Sequence, residues 1–111
     1  MTTDAPKTQL LITEGGRWLV RSESRTVCHP DLDRMLLKRV RGAGSPVLPF
    51  EGEWVRLVRI TSIAVRDTGV VRVGDRTEYL TDAGADVEDY QWWVPRMCTA
   101  IEPDTTNSAG P

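Results

Sequence analysis

Apolar and polar residues alternate along this chain over short stretches, and clusters of Gly, Pro, Asp, Asn and Ser interrupt them every eight to twelve residues. A period of two broken by frequent turn signals predicts strands joined by tight connections. Leu10-Leu11-Ile12 reads as a short edge strand, and Glu14-Gly15-Gly16 as a turn. Trp18 to Arg21 reads as a strand, Ser22-Glu23-Ser24 as a hairpin turn, and Thr26-Val27-Cys28 as the next strand. Trp54 through Val65 is the longest strand candidate. Its alternation fails at Leu57-Val58 and Ile60, which predicts a central strand or one carrying a bulge. Val70 to Val73, Thr77 to Leu80 and Trp92 to Ile101 complete the set, with turns at Asp67-Thr68-Gly69 and Gly74-Asp75-Arg76 and an acidic loop over Thr81 to Asp89. Pro95 inside the last stretch predicts an edge position or a bulge there. Trp54 with Ile60-Thr61-Ser62-Ile63 echoes Trp92 with Cys98-Thr99-Ala100-Ile101, which two converging strands explain without a repeat.

Residues 29–42 admit two readings. Leu32, Met35, Leu36 and Val40 fall at helical spacing, Asp31 suits an N-cap, and Gly42 suits a helix end. The competing reading is a hairpin, with strand 25–32, a turn at Asp33-Arg34 and strand 35–41. Periodicity alone favours the helix.

The expected fold is therefore all-β: one small antiparallel barrel or strongly bent sheet of six to eight strands, with a short helix within 30–41 as the alternative to the hairpin. The domain is expected over 9–102, with polar tails at 1–8 and 103–111. The chain has 111 residues, a size at which one core forms without metals or disulfides. Its stretches of consecutive apolar residues are short, which predicts no membrane span. The N-terminal stretch lacks the basic-then-apolar pattern of a signal peptide, so a cytoplasmic location is expected. In that compartment Cys28 and Cys98 are expected as free, buried thiols.

Fourteen basic and sixteen acidic residues give a net charge of −2, which does not draw the chain towards nucleic acid. Twelve of the fourteen basic residues are arginine. They gather between Arg17 and Arg76, and acidic residues thicken from Asp82 onwards. A mixed solvated surface explains this better than a basic body with an acidic end.

The order of a Gly-x-Trp strand, a Ser-x-Ser turn, Asp31-Leu32-Asp33, a basic strand ending in a Gly-rich loop, and a closing Arg96-x-Cys98-Thr99-Ala100-Ile101 resembles small uncharacterised proteins of actinobacteria and of the bacteriophages that infect them. The resemblance covers about residues 16–102 and rests on short motifs. It implies the hairpin for residues 25–41, because there the Asp-Leu-Asp stretch closes a hairpin strand. His29-Pro30 departs from that pattern. The resemblance carries no activity, and for a phage-encoded protein it implies the host cytoplasm.

Catalytic sets are sparse. His29-x-Asp31-x-Asp33 would share one strand face, but turn and capping roles explain both aspartates without a metal. Cys28 adjoins His29, but adjacent strand residues point to opposite faces, which argues against a Cys28–His29 pair, and only the fold could bring Cys98 near His29. Gly42-Ala43-Gly44-Ser45 lacks the Lys-Ser/Thr of a phosphate loop, and Asp86, Glu88 and Asp89 read as a solvated loop. No enzyme activity, cofactor or metal is expected. The remaining signal is four tryptophans and many arginines, the residue types most enriched in binding hot spots. The candidate binding residues are Trp92, Trp93, Arg56, Arg59 and Arg72. A protein partner is the first expectation and a second copy of the chain a further one. Nucleic-acid binding by a small barrel ranks behind them. Trp18, Trp54 and one of Trp92 and Trp93 are expected to face the core. The other member of the pair is expected to be markedly more exposed, since consecutive strand residues face opposite sides.

Overall fold

The computed structural model describes residues 7–42, 52–82 and 91–104. Positions 83–89 of the expected acidic loop, most of the Gly-rich loop after Gly42, and the ends 1–6 and 105–111 lie outside the described residues. The protein is all-β. Its strands are β1 (Gln9–Leu11), β2 (Trp18–Ser22), β3 (Val27–Asp31), β4 (Leu36–Val40), β5 (Trp54–Ser62), β6 (Val70–Arg72), β7 (Thr77–Asp82), β8 (Gln91–Trp93) and β9 (Cys98–Pro103). One 3-10 turn, Ile12–Glu14, follows β1.

Seven strands form one antiparallel sheet in the order β8-β7-β5-β4-β3-β2-β9, and β1 pairs with β6 in a second, small sheet. Of the two expected forms, barrel or bent sheet, the protein takes the bent sheet, since β8 and β9 sit at opposite edges without pairing. The bend follows from chain length. Residues 94–97 alone join β8 to β9, so Trp93 and Cys98 lie at most about 18 Å apart. Six strand spacings laid flat would separate them by roughly 29 Å. The sheet therefore curls until its edges approach, and the 94–97 segment crosses the seam. The single strand expected over Trp92 to Ile101 is thus two strands, and the echo with Trp54 to Ile63 has no structural counterpart. Pro95 falls in the crossing, where no ladder donor is required.

Residues 25–41 form a hairpin and not a helix. Asp31 decides it locally: its Oδ1 accepts from the backbone N–H groups of Asp33 and Arg34, each at 3.1 Å. Met35 then adopts a left-handed conformation, φ 54°, which turns the chain back into β4. Pro30 lies opposite Leu37 within the pairing and does not end it. The helical spacing of Leu32, Met35 and Leu36 reflects packing of the turn on the core cluster, which includes Leu32 and Leu37 and has Met35 packed against it. Gly42 lets the end of β4 pass the preceding hairpin, because a Cβ there would stand 2.7 Å from the Arg25 carbonyl carbon.

The long strand β5 carries the bulge its pattern predicts: Leu57 pairs with Thr81 and Arg59 with Leu80, leaving Val58 extra. The bulge restores alternation, so Leu57 and Ile60 both point inward and are buried. The inner face of the sheet holds Val20, Cys28, Leu37, Leu57, Ile60, Tyr79 and Ile101, joined by Leu10 and Val71 from the small sheet. Asp75 locks one end of this core. Its carboxylate accepts from Ser62 Oγ, from Ala64 N at 3.1 Å and from Arg76 N at 2.7 Å. Its backbone carbonyl accepts from Cys98 N at 2.8 Å, which ties β9 to the turn before β7.

Candidate binding face

Cross-strand register places the candidate residues. Trp92 lies opposite Leu80, and Leu80 opposite Arg59, so these three form one row across β8, β7 and β5. The neighbouring Tyr79 points inward and is fully buried, so this row stands on the outer face. Leu80 is nonetheless buried. The Trp92 indole and the Arg59 guanidinium flank it, and the guanidinium lies 5.8 Å from the ring centroid. The aliphatic stem of the arginine covers apolar surface while its head stays in water. Trp92 itself remains 56% exposed.

A second outer row joins Asp82, Arg56 and Leu36. Arg56 Nη1 stands 3.6 Å from Asp82 Oδ2 with most of its side chain exposed, so the pair contributes little to stability. A third row joins Trp54, Lys38 and His29. Lys38 Nζ lies 4.9 Å from the Trp54 ring centroid. Trp54 is 38% exposed, which corrects the expectation that it faces the core. The reason is the pairing of Trp54 with Lys38, while its neighbour Val55 pairs with Leu37 and takes the inward place.

The other candidates separate. Trp93 faces inward, stacked on Tyr79 with centroids 5.4 Å apart and planes at 27°. The Arg39 guanidinium lies over the same ring, 5.4 Å from its centroid. Trp93 therefore belongs to the rim of the core. Arg72 lies in the small sheet, where Nε donates to Gln9 Oε1 at 3.3 Å and Nη2 to Asp67 Oδ2 at 3.4 Å. Trp92, Arg59 and Arg56 are thus brought onto one face, Trp93 and Arg72 are not, and Trp54 and Lys38 join the face. Lys38 was legible as the residue opposite a strand tryptophan only once the register was known. Trp18 is half-buried against the core, its Nε1 donating to the Gly15 carbonyl at 2.7 Å under Lys7.

The remaining titratable groups are used inside the fold. His29 Nδ1 lies 3.4 Å from Asp104 Oδ2. Burial pushes the imidazole pKa down, the Asp104 hydrogen bond opposes this, and Lys38 and Arg21 add to the lowering. Asp31 is buried in its turn with Arg17 Nε 3.8 Å away, and Asp33 is exposed. Among the described residues, no three of His, Cys, Asp and Glu gather as a metal site. Cys28 and Cys98 are free thiols. They stand on the two strands that flank β2, roughly 10 Å apart by strand spacing, whereas a disulfide needs less than about 7 Å between Cα atoms. Burial pushes the Cys98 thiol up to about 11 and the Cys28 thiol higher still. No helix among the described residues is long and apolar enough to cross a membrane.

No family model, no curated protein and no solved structure matches this chain.

Proposed function

We propose that this protein is a non-enzymatic binding module that engages a protein partner through the outer face of its sheet, centred on Trp92, Arg59 and Trp54. The observation that carries this reading is Trp92, more than half exposed on the short edge strand and arched with Arg59 over a buried leucine. An exposed indole held in place costs little ordering on binding, and it has a neighbouring guanidinium ready for a carboxylate or carbonyl. Trp54 with Lys38 extends the same chemistry along the face. Phage or actinobacterial origin, implied by the resemblance, suits a small accessory protein working in the cytoplasm through contacts.

A photoreactive phenylalanine analogue at position 92 tests this in an actinobacterial host. A discrete cross-linked protein is expected from position 92, suppressed by Arg59→Glu. It should be absent from the same analogue at Val65, which is also exposed but lies on a turn away from the face. Equal labelling from both positions would remove the proposal. Nucleic acid is the competing ligand, since a tryptophan beside arginines also stacks bases. A gel shift at low salt that Trp92→Ala abolishes would put that ligand in place of a protein.

A further inference from the structure

The cations of the outer face fall into two groups. Arg56 and Arg21 each hold a carboxylate: Arg56 Nη1 stands 3.6 Å from Asp82 Oδ2, and Arg21 Nε stands 3.1 Å from Glu102 Oε2. Arg59 and Lys38 have no carboxylate within ion-pair distance among the described residues. They lie over indoles instead, the Arg59 guanidinium 5.8 Å from the Trp92 ring centroid and Lys38 Nζ 4.9 Å from that of Trp54. Both rings are exposed, as is Arg59, and Lys38 is half-buried. A ring face orders a cation without neutralising it, so each pair presents a positioned positive charge to solvent. Its N–H groups stay open to a charge-assisted hydrogen bond. Register fixes the spacing of the two pairs. Trp54 and Arg59 both stand on β5 with the Val58 bulge between them, and Lys38 lies opposite Trp54 on β4. By strand rise and strand spacing, the two cations are rooted roughly 15 Å apart. The Arg56–Asp82 row crosses β5 between them.

Resting on the binding face proposed above, we infer that the segment of the partner seated there is an acidic, extended peptide. One carboxylate meets the Arg59–Trp92 pair, and a second, about four residues along, meets the Lys38–Trp54 pair. In an extended chain, residues that far apart face the same way, and their side chains make up the rest of the span. Separate carboxylates suit this face better than a phosphate backbone does. A nucleic acid would carry its charge past Asp82, which lies in the row between the two cations, and would find each indole already contacted by a cation. A peptide can place an uncharged residue over the Arg56–Asp82 pair.

Selection from a displayed library of random peptides about a dozen residues long, followed by a charge swap, tests this. The enriched peptides are expected to carry two acidic residues about four positions apart and to be lost with Trp92→Ala. For a selected peptide, Arg59→Glu and Lys38→Glu should each weaken binding at least about tenfold. Changing one peptide carboxylate to lysine should restore binding to Arg59→Glu alone, and changing the other should restore it to Lys38→Glu alone. Arg59→Gln and Lys38→Gln, each expected to lose affinity while Arg56→Gln keeps it, serve if the reversals do not fold. Peptides that need Trp92 but carry no carboxylate, or charge reversals that fold and bind unchanged, overturn this inference and leave the binding face standing. Selection of no peptide, or only of peptides indifferent to Trp92→Ala, overturns it too, while cross-linking from position 92 judges the face itself. An oligothymidylate bound more tightly than any acidic peptide, and lost with Trp92→Ala, would put nucleic acid in the peptide's place.

Discussion

Trp92 and Trp93 are neighbours in sequence and occupy opposite sides of one sheet. Trp93 packs with Tyr79 and the Arg39 guanidinium at the rim of the core. Trp92 stands in solvent, with Arg59 against one side. Both rings have a strand neighbour and a guanidinium, so local contacts alone do not distinguish them. The difference is what lies beyond the row. Inward, the curled sheet and the small β1–β6 sheet exclude water. Outward, among the described residues, no second layer covers the face. The inner face thus carries stability, and the outer face is free to carry recognition.

Truncation should divide the two faces most sharply. Trp93→Ala is expected to destabilise the protein by about 3 kcal/mol, read by denaturant unfolding, since a large packed ring leaves a cavity. A cost no greater than that of Trp92→Ala would break the comparison. Thiol labelling probes the same interior. At pH 8, Cys28 and Cys98 should react with a disulfide reagent more than about a hundredfold more slowly in the native protein than in the unfolded chain, because the thiols are buried and their deprotonation is suppressed. Rapid native labelling of Cys28 would mean that the seam opens easily.

Asp75 holds one end of the core. Asp75→Ala should cost about 2 kcal/mol, because Ser62 Oγ and two backbone N–H groups lose their acceptor. Asp75→Asn should recover part of this by keeping an acceptor oxygen.

His29 lies on the outer face, and its folded pKa is lowered. The unfolded chain then binds the proton more readily, so stability is full above the ordinary histidine pKa near 6.5 and falls as pH drops through the lowered value. The unfolding midpoint of the unchanged protein should therefore decline below about pH 6.5 more steeply than that of His29→Gln. Parallel curves would assign the acid sensitivity to carboxylates. The smallest effect is expected at Trp92→Ala, within about 0.5 kcal/mol in stability, as for most exposed substitutions. The same substitution should weaken partner binding by at least about tenfold, as loss of a hot-spot indole does.

Much of the fold was legible in the chain. The turn spacing announced an all-β protein, and the broken alternation at Leu57-Val58 announced a bulge that the pairing of Arg59 with Leu80 confirms. The adjacency of Trp92 and Trp93 announced one inward and one outward ring. Less of the candidate face could be read. Trp54 begins a strand as Trp18 does, yet it faces out, because orientation depends on register with β4 and a shift of one residue inverts it. Arg72 looked equivalent to Arg59 by composition, but it lies in a different sheet. Pro95 was read as an edge position or a bulge within one strand, and nothing local says that the stretch breaks there and sends its two halves to opposite edges.

By itself, then, the sequence determined the period-two strands, the turns that the glycines mark, and the apolar set that must be buried. Those properties arise from backbone geometry and side-chain chemistry within a few residues. Tertiary structure alone decided which tryptophans are covered and which arginines share a face. Those depend on register and curl, which are set by pairings between strands far apart in the chain, such as Val20 with Ile101.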